Sequence, residues 1–163
     1  MDLHDELQIR KPLDIGQETI LSVMLTREHL AKLMDERLFK SEGITDQQYN
    51  VLRILIGGPP GGYLIREIRE RMITRNADVP RLVDRLAAGG LVLRGEDPED
   101  RRGCRVRITP AGRALRAKLE GPRAGLADQL AAILAPEDNR TLLDLLERLR
   151  DGIRGLQSGD AAE

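Results

Sequence analysis

Arginines cluster in the middle of this chain, where their side chains could meet a polyanion. Between residues 66 and 118 the sequence has 14 Arg and Lys against 8 Asp and Glu, a surplus of +6. The rest of the chain has 12 basic and 19 acidic residues, and the two parts sum to the net charge of −1. A guanidinium binds phosphates and base edges through paired hydrogen bonds. The distribution therefore indicates a polyanion-binding middle region, with chance clustering on a solvated surface as the alternative.

The candidate contact residues form two groups within this region. The first group lies at the start of a short predicted helix, where side chains can reach base edges or phosphates, and consists of Arg75, Asn76, Arg81 and Arg85. The second group lies in a polar loop and consists of Asp100, Arg101 and Arg102. An exposed helix face and a solvated turn are the alternatives for the two groups. Arg85 could equally pair with Asp84 or Asp78.

Helical patterns fill the first half of the chain. Apolar residues at steps of three and four predict one long amphipathic helix over residues 16–39. Thr45 and Gln48 have the spacing of a capping box and predict that the next helix starts there. That helix ends at the glycine–proline stretch 57–62, which predicts a turn. The stretch is not a phosphate loop, because it lacks the Gly-Lys-Ser/Thr ending of that motif. Short helices near 64–72 and 78–88 follow, the latter with Leu82, Val83 and Leu86 facing inward.

The period of the apolar residues then changes to two. Residues 91–94 and 105–108 predict two short strands joined by a polar hairpin loop, 95–103. Cys104, Val106 and Ile108 share one face, and Arg105 and Arg107 the other. Thr109 followed by Pro110 predicts the start of another helix. From there the chain is leucine-rich helix with a break at 135–136.

This order predicts a mainly α fold with a small β-hairpin, a winged helix-turn-helix flanked by N- and C-terminal dimerisation helices. In such a module the third helix enters the major groove, and the hairpin, called the wing, reaches the minor groove or the backbone. The long terminal helices cannot bury their apolar faces on so small a module, so we expect a two-fold dimer. The predicted parts are a flexible arm (1–15), a first dimerisation helix (16–40), the DNA-binding module (44–109), C-terminal dimerisation helices (110–157) and a disordered tail (158–163).

The sequence resembles the MarR family of bacterial transcriptional regulators over roughly residues 17–156. The most specific match is residues 100–109 followed by Gly112, which fit the family's wing pattern Asp-x-Arg-x-x-x-Val-x-Leu/Ile-Thr-x-x-Gly. Residues 44–52, 81–86 and 90–92 match in the same order. The resemblance implies a homodimer that binds double-stranded DNA, usually a repressor and often released by a small-molecule effector or an oxidant. It also implies that Arg102 is the minor-groove arginine and that Asp100 orients the wing arginines.

Two positions depart from the family pattern. Pro80 stands where related sequences commonly carry Ser or Thr, whose hydroxyl can bind phosphate, and it is tolerable only if the helix begins near Asp78. Pro122, after Gly121, lies inside the predicted long helix after the wing. A proline there costs about 3 kcal/mol in an ideal helix, so we expect a kink or a break.

Other function classes find little support. The sequence shows no nucleophile–base pair, nucleotide-binding glycine pattern or metal-ligand spacing, so neither an enzyme nor a cofactor is predicted. Cys104 on an inward strand face is expected to be structural rather than an oxidant sensor. His29 is expected to be an ordinary helix residue, and His4 to belong to a mobile terminus. A winged-helix protein–protein adaptor that no longer binds DNA is the alternative function.

The expected location is the cytoplasm. The chain has no apolar run of the ~18 residues that a membrane span needs, and its first ten residues are too acidic for a signal peptide.

Overall fold

Helices make up most of the chain, and the computed structural model describes residues 2–97 and 103–159. The α-helices are α1 (Leu3–Leu7), α2 (Ile15–Met34), α3 (Asp46–Ile56), α4 (Ile65–Arg71), α5 (Val79–Ala88), α6 (Pro110–Ala131) and α7 (Pro136–Gly159). The strands are β1 (Tyr63–Leu64), β2 (Val92–Glu96) and β3 (Cys104–Ile108). A π-helical turn, Asp35–Phe39, and a 3₁₀ turn, Lys40–Glu42, extend α2. The described chain forms two compact units, divided after Leu119.

Local capping signals start the helices where the sequence predicts. The Thr45 side chain accepts a hydrogen bond from the backbone N–H of Gln48 at 3.2 Å, and the Gln48 side chain accepts from that of Thr45 at 2.9 Å. This confirms the capping box at the start of α3. Thr109 accepts from the backbone N–H of Gly112 at 3.0 Å, and α6 begins at Pro110. Each side chain satisfies a backbone donor that the first helical turn leaves free.

The sheet has three strands rather than the predicted two. Its order is β1-β3-β2 and both pairings are antiparallel. The predicted hairpin is present as β2 and β3, with Arg94 opposite Val106. The prediction missed β1, where Tyr63 lies opposite Val106. A strand of two residues has too little alternation to be recognised from sequence.

A single core in the first unit holds α3, α4, α5 and the sheet together. Val51, Ile68 and Val106 are among its fully buried residues. The predicted inward face of α5 is confirmed, because Leu82, Val83 and Leu86 are all buried there. Removal of this apolar surface from water is the main term that fixes α5 against the rest of the module.

Three expectations about the ends of the chain can be compared with the structure. Pro122 lies inside α6, and the helix continues from Pro110 to Ala131, so the predicted alternative of a break there is wrong. The predicted break at 135–136 is confirmed by the start of α7 at Pro136. The arm over residues 1–15, expected to be flexible, contains the short helix α1. Its His4 and Glu6 lie against Glu18 and His29 of α2, at 3.4 Å and 2.6 Å.

Membrane insertion finds no support in the helices. Within residues 2–97 and 103–159, none is long and apolar enough to cross a bilayer.

Candidate nucleic-acid interface

Helix α5 carries the first group of candidate residues. It begins at Val79, so that Pro80 falls in the first turn, where the missing proline N–H is one that no helical carbonyl would have accepted. The Asp78 side chain caps this end and accepts from the backbone N–H of Arg81 at 3.2 Å. The late helix start that Pro80 requires is thereby confirmed.

The outward face of α5 presents two arginines. Arg81 and Arg85 are both exposed and stand four residues apart, which places them one above the other on the helix surface. The two acids considered as partners of Arg85 are engaged elsewhere, since Asp84 pairs with Arg94 and Asp78 caps the helix. Within the described part of the chain, Arg85 has no ion-pair partner.

Arg75 and Asn76 lie before the helix, not in it. The sequence placed them at the start of α5, but they form an exposed turn that precedes Asp78 and Val79. The Arg75 Nη1 atom donates a hydrogen bond to the Glu70 carbonyl at 2.8 Å, which holds its side chain towards the end of α4. The helix starts after these two residues because the Asp78 side chain caps its first turn.

Arg94 connects α5 to the sheet. Its guanidinium donates to the Asp84 carboxylate on α5 and, through Nε, to the Cys104 Sγ on β3 at 3.3 Å. These contacts raise the pKa of Arg94 above its usual value, first through the hydrogen bond to the thiol and further through the charge of Asp84. Cys104, expected on an inward strand face, is only half-buried and lies beside this cation.

The wing tip residues Asp100, Arg101 and Arg102 lie outside the described residues. The structure does describe both ends of their loop, where the backbone N–H of Asp97 donates to the Gly103 carbonyl at 3.0 Å. Arg107 is exposed, as predicted for the outward face of β3.

Arg105, placed on the same outward face, is partly buried against Asp97. Sequence reasoning missed this pair. An acid at one end of the hairpin loop and an arginine just past the other is the signal that could have found it.

The start of α3 carries one perturbed acid. Loss of solvation raises the pKa of the Asp46 carboxyl, and the positive charge of Arg27 opposes that shift. Thr45 and Gln48 serve as the helix cap there. Across the described ranges, no three His, Cys, Asp or Glu side chains converge as metal ligands would.

An open cavity of about 280 Å³ lies between α1 and α2. Its walls are mostly apolar, with two charged residues among those that line it: Leu7, Leu21, Met24, Leu25, Arg27 and Glu28. Its volume lies just below the roughly 300–1,000 Å³ that is usual for ligand pockets.

Comparisons with known proteins agree with this architecture. The model of the MarR family matches residues 42–103. The MarR transcription factor from Planctomyces limnophilus is 33% identical in its crystal structure, with a TM-score of 0.64 over 84% of this chain and 98% of that one. The PcaV transcriptional regulator from Streptomyces coelicolor, solved with its natural ligand, is 25% identical, with a TM-score of 0.74 over 86% and 97%.

A curated relative gives the same picture. A protein of Thauera aromatica, provisionally named a transcriptional regulatory protein for the hcr operon, is 28% identical over 109 residues, or 67% of this chain and 64% of its own. The chain thus spans less than two thirds of the length of the curated relatives it matches. Sequence motifs, the helix–sheet order and the likeness to the P. limnophilus protein agree, and the chain belongs to the MarR family of transcriptional regulators.

Proposed function

We propose that this protein binds double-stranded DNA in a sequence-specific way and regulates transcription as a homodimeric repressor. The observation that carries the proposal is the outward face of α5, where Arg81 and Arg85 are exposed on a helix whose other face is fixed in the core. A major groove admits one α-helix, and arginine is the side chain that most often reads guanine there.

The dimensions of α5 support this role. Its ten residues span about 15 Å, enough to cross a groove that is about 12 Å wide. Arg81 lies in the first turn of α5, and residues near the start of a recognition helix contact base edges. Arg75 and Asn76 in the preceding turn are proposed contacts of the phosphate backbone. Arg101 and Arg102 remain proposed contacts of the wing, with Asp100 as the carboxylate that orients them, by the resemblance of their motif.

Exposed apolar residues support the homodimer. Helix α7 has no buried residue, yet it carries a stripe at steps of three and four, with Leu142, Leu145, Leu149 and Ile153 between 37% and 50% exposed. On α2, Ile20 and Met24 are about equally open, at 61% and 60%. An apolar stripe of this length on a helix normally packs against another helix. A second copy of the chain is the proposed cover for both helices.

Release by a small molecule is the proposed mode of regulation. The similar PcaV regulator of S. coelicolor has a natural ligand, which makes an effector a reasonable expectation for this chain. The cavity between α1 and α2 is one place where the apolar part of such a molecule fits. A bound repressor then leaves DNA only if the effector binds the DNA-free form more tightly.

Selection from a pool of random duplexes tests the proposal. The expected product is a pseudo-palindrome whose half-sites are centred about 10 base pairs apart, because a two-fold dimer presents two copies of α5. The Leu145→Asp, Leu149→Asp double variant should sediment as a monomer and lose the selected site. Failure of the wild-type protein to enrich any sequence would favour the protein–protein adaptor instead.

A further inference from the structure

A mostly buried ion pair joins the base of the wing to the turn before β1. The Asp97 side chain is only 6% exposed, and that of Arg105 is 28% exposed. The Arg105 Nε atom donates to Asp97 Oδ1 at 2.9 Å, and its Nη1 atom donates to the Gly62 carbonyl at 3.3 Å. One guanidinium therefore holds two segments that are far apart in the sequence. We call Asp97, Arg105 and the Gly62 carbonyl the wing clamp.

The clamp lies where the wing loop leaves and re-enters the sheet. The last pair of the β2–β3 ladder joins Glu96 and Cys104. One step further, the backbone N–H of Asp97 donates to the Gly103 carbonyl at 3.0 Å. The residue that closes the loop through its backbone thus also binds Arg105 through its side chain.

Gly62 fits the clamp because it has no side chain. Its φ of +78° is a left-handed conformation, and a Cβ atom there would lie 2.2 Å from the Val106 carbonyl oxygen. Only glycine lets this turn approach β3 so closely. The approach brings the Gly62 carbonyl within reach of Arg105, so the second contact of the clamp depends on it.

The chemistry of the clamp requires arginine. A buried carboxylate needs a partner that supplies both charge and hydrogen bonds. The arginine fork presents several donors in fixed directions, so that it can serve the Asp97 carboxylate and the Gly62 carbonyl together. Lysine would keep the charge but offers a single flexible ammonium group in place of the fork.

We propose that Asp97 and Arg105 are positioning residues that fix the base of the wing and thereby raise the affinity of the wing for DNA. This inference rests on the DNA binding proposed above. A site held in place by its supporting residues avoids the entropic cost of ordering on binding. The clamp therefore contributes to affinity without contacting DNA.

Hydrogen exchange in the full-length, DNA-free protein tests the first half of the proposal. Arg105→Lys should speed exchange of the Asp97 amide at least about tenfold, while amides in the core of α3 and α5 exchange as in the wild type. Arg107→Lys is the matched control, because it makes the same change on the same face of β3 at an exposed position outside the clamp. It should leave the Asp97 amide unchanged.

A double-mutant cycle on DNA tests the second half. Arg105→Lys should weaken binding to the selected duplex about tenfold in the wild-type background, but less than about twofold when Arg102→Ala has already removed the wing contact. If Arg105 supported only general stability, the losses of affinity caused by Arg105→Lys and Arg102→Ala would multiply in the double variant. Thermal unfolding of each variant shows whether the loss of affinity follows a loss of folded protein.

Each outcome decides one part of the inference. Unchanged exchange at Asp97 in Arg105→Lys would overturn the clamp, and independent losses in the cycle would overturn its role in positioning the wing. If the wild-type protein binds no duplex, the proposed function is wrong. The exchange experiment then still decides whether the clamp fixes the base of the wing.

Discussion

Asp84, on the outward side of α5, is bound by the guanidinium of Arg94 on β2. The same guanidinium donates to Cys104 on β3, so one side chain ties the helix to both long strands of the sheet. The two candidate DNA contacts on α5, Arg81 and Arg85, stand on either side of Asp84 in the sequence. The pair thus links the proposed reading helix to the strands that carry the wing.

A double-mutant cycle with Asp84→Ala and Arg94→Ala measures this link. We expect a coupling of about 0.2–1 kcal/mol in the free energy of unfolding, because exposed ion pairs contribute in this range. The two side chains are 57% and 42% exposed. Urea unfolding of the four proteins gives the coupling, which should shrink in high salt. Strictly additive losses at low salt would show that the pair does not connect α5 to the sheet.

Replacement of the α5 arginines should weaken DNA binding. For each of Arg81→Ala and Arg85→Ala we expect a loss of about 1–3 kcal/mol if the side chain reads a base, with relaxed preference at one position of the site. If the side chain contacts phosphate, its removal should instead weaken binding to all sequences and reduce the slope of log K against log salt concentration by about one. Arg154→Ala on α7 is the control and should bind as the wild type. Unchanged affinity and salt dependence in both α5 variants would remove α5 from the interface.

Gly112 in α6 should not tolerate a side chain. A Cβ atom there would lie 2.2 Å from the Leu91 carbonyl oxygen, and the backbone N–H of Thr109, at the start of α6, donates to that same carbonyl at 3.1 Å. We expect Gly112→Ala to lower the free energy of unfolding by about 1–3 kcal/mol, as measured by thermal or urea unfolding.

Gly125→Ala in the same helix is the matched control. A Cβ atom there would meet nothing within 4 Å, so the variant should gain about 0.5–1 kcal/mol from the better helix propensity of alanine. Equal effects of the two substitutions would contradict the close approach of α6 to Leu91.

The contribution of Asp46 to the free energy of unfolding should fall as pH rises. Desolvation raises the pKa of its carboxyl in the folded state, so the folded protein holds this proton to a higher pH than the unfolded chain does. The stability that the bound proton contributes is therefore present in acid and is lost as pH rises through the folded pKa. The free energy of unfolding of Asp46→Asn, relative to that of the wild type, should therefore increase from acidic to neutral pH.

Arg27→Ala provides the control for this prediction. Removal of the charge that opposes the shift should steepen the fall in stability with pH, but only while Asp46 is present. Unfolding midpoints measured across the pH range give both comparisons. A wild-type and an Asp46→Asn profile that run parallel would refute the assignment.

Short-range signals in the sequence predicted much of the module. The capping box at Thr45 and Gln48 and the proline after Thr109 each act within one helical turn, so their partners are known from spacing alone. The inward face of α5 follows from its apolar period in the same way. The alternation of residues 105–108 predicted strand β3 of the hairpin from short-range spacing as well.

Contacts between distant segments could not be predicted in this way. Strand β1 exists because Gly62 lets a turn approach β3, and its two residues carry no periodic signal. Periodicity placed Arg105 on an outward face, but it could not show that Asp97 lies beside it. The partner of Arg94 likewise depends on how α5 packs against the sheet, which a single sequence does not give.

The central claim is that this chain is a sequence-specific DNA-binding regulator. Fluorescence anisotropy with a duplex from the region flanking its own gene, against a scrambled duplex at two salt concentrations, tests it most directly. We predict salt-dependent binding to the native duplex at least ~10³-fold tighter than to the scrambled one. Equal binding to both duplexes, or none to either at low salt, would contradict the claim.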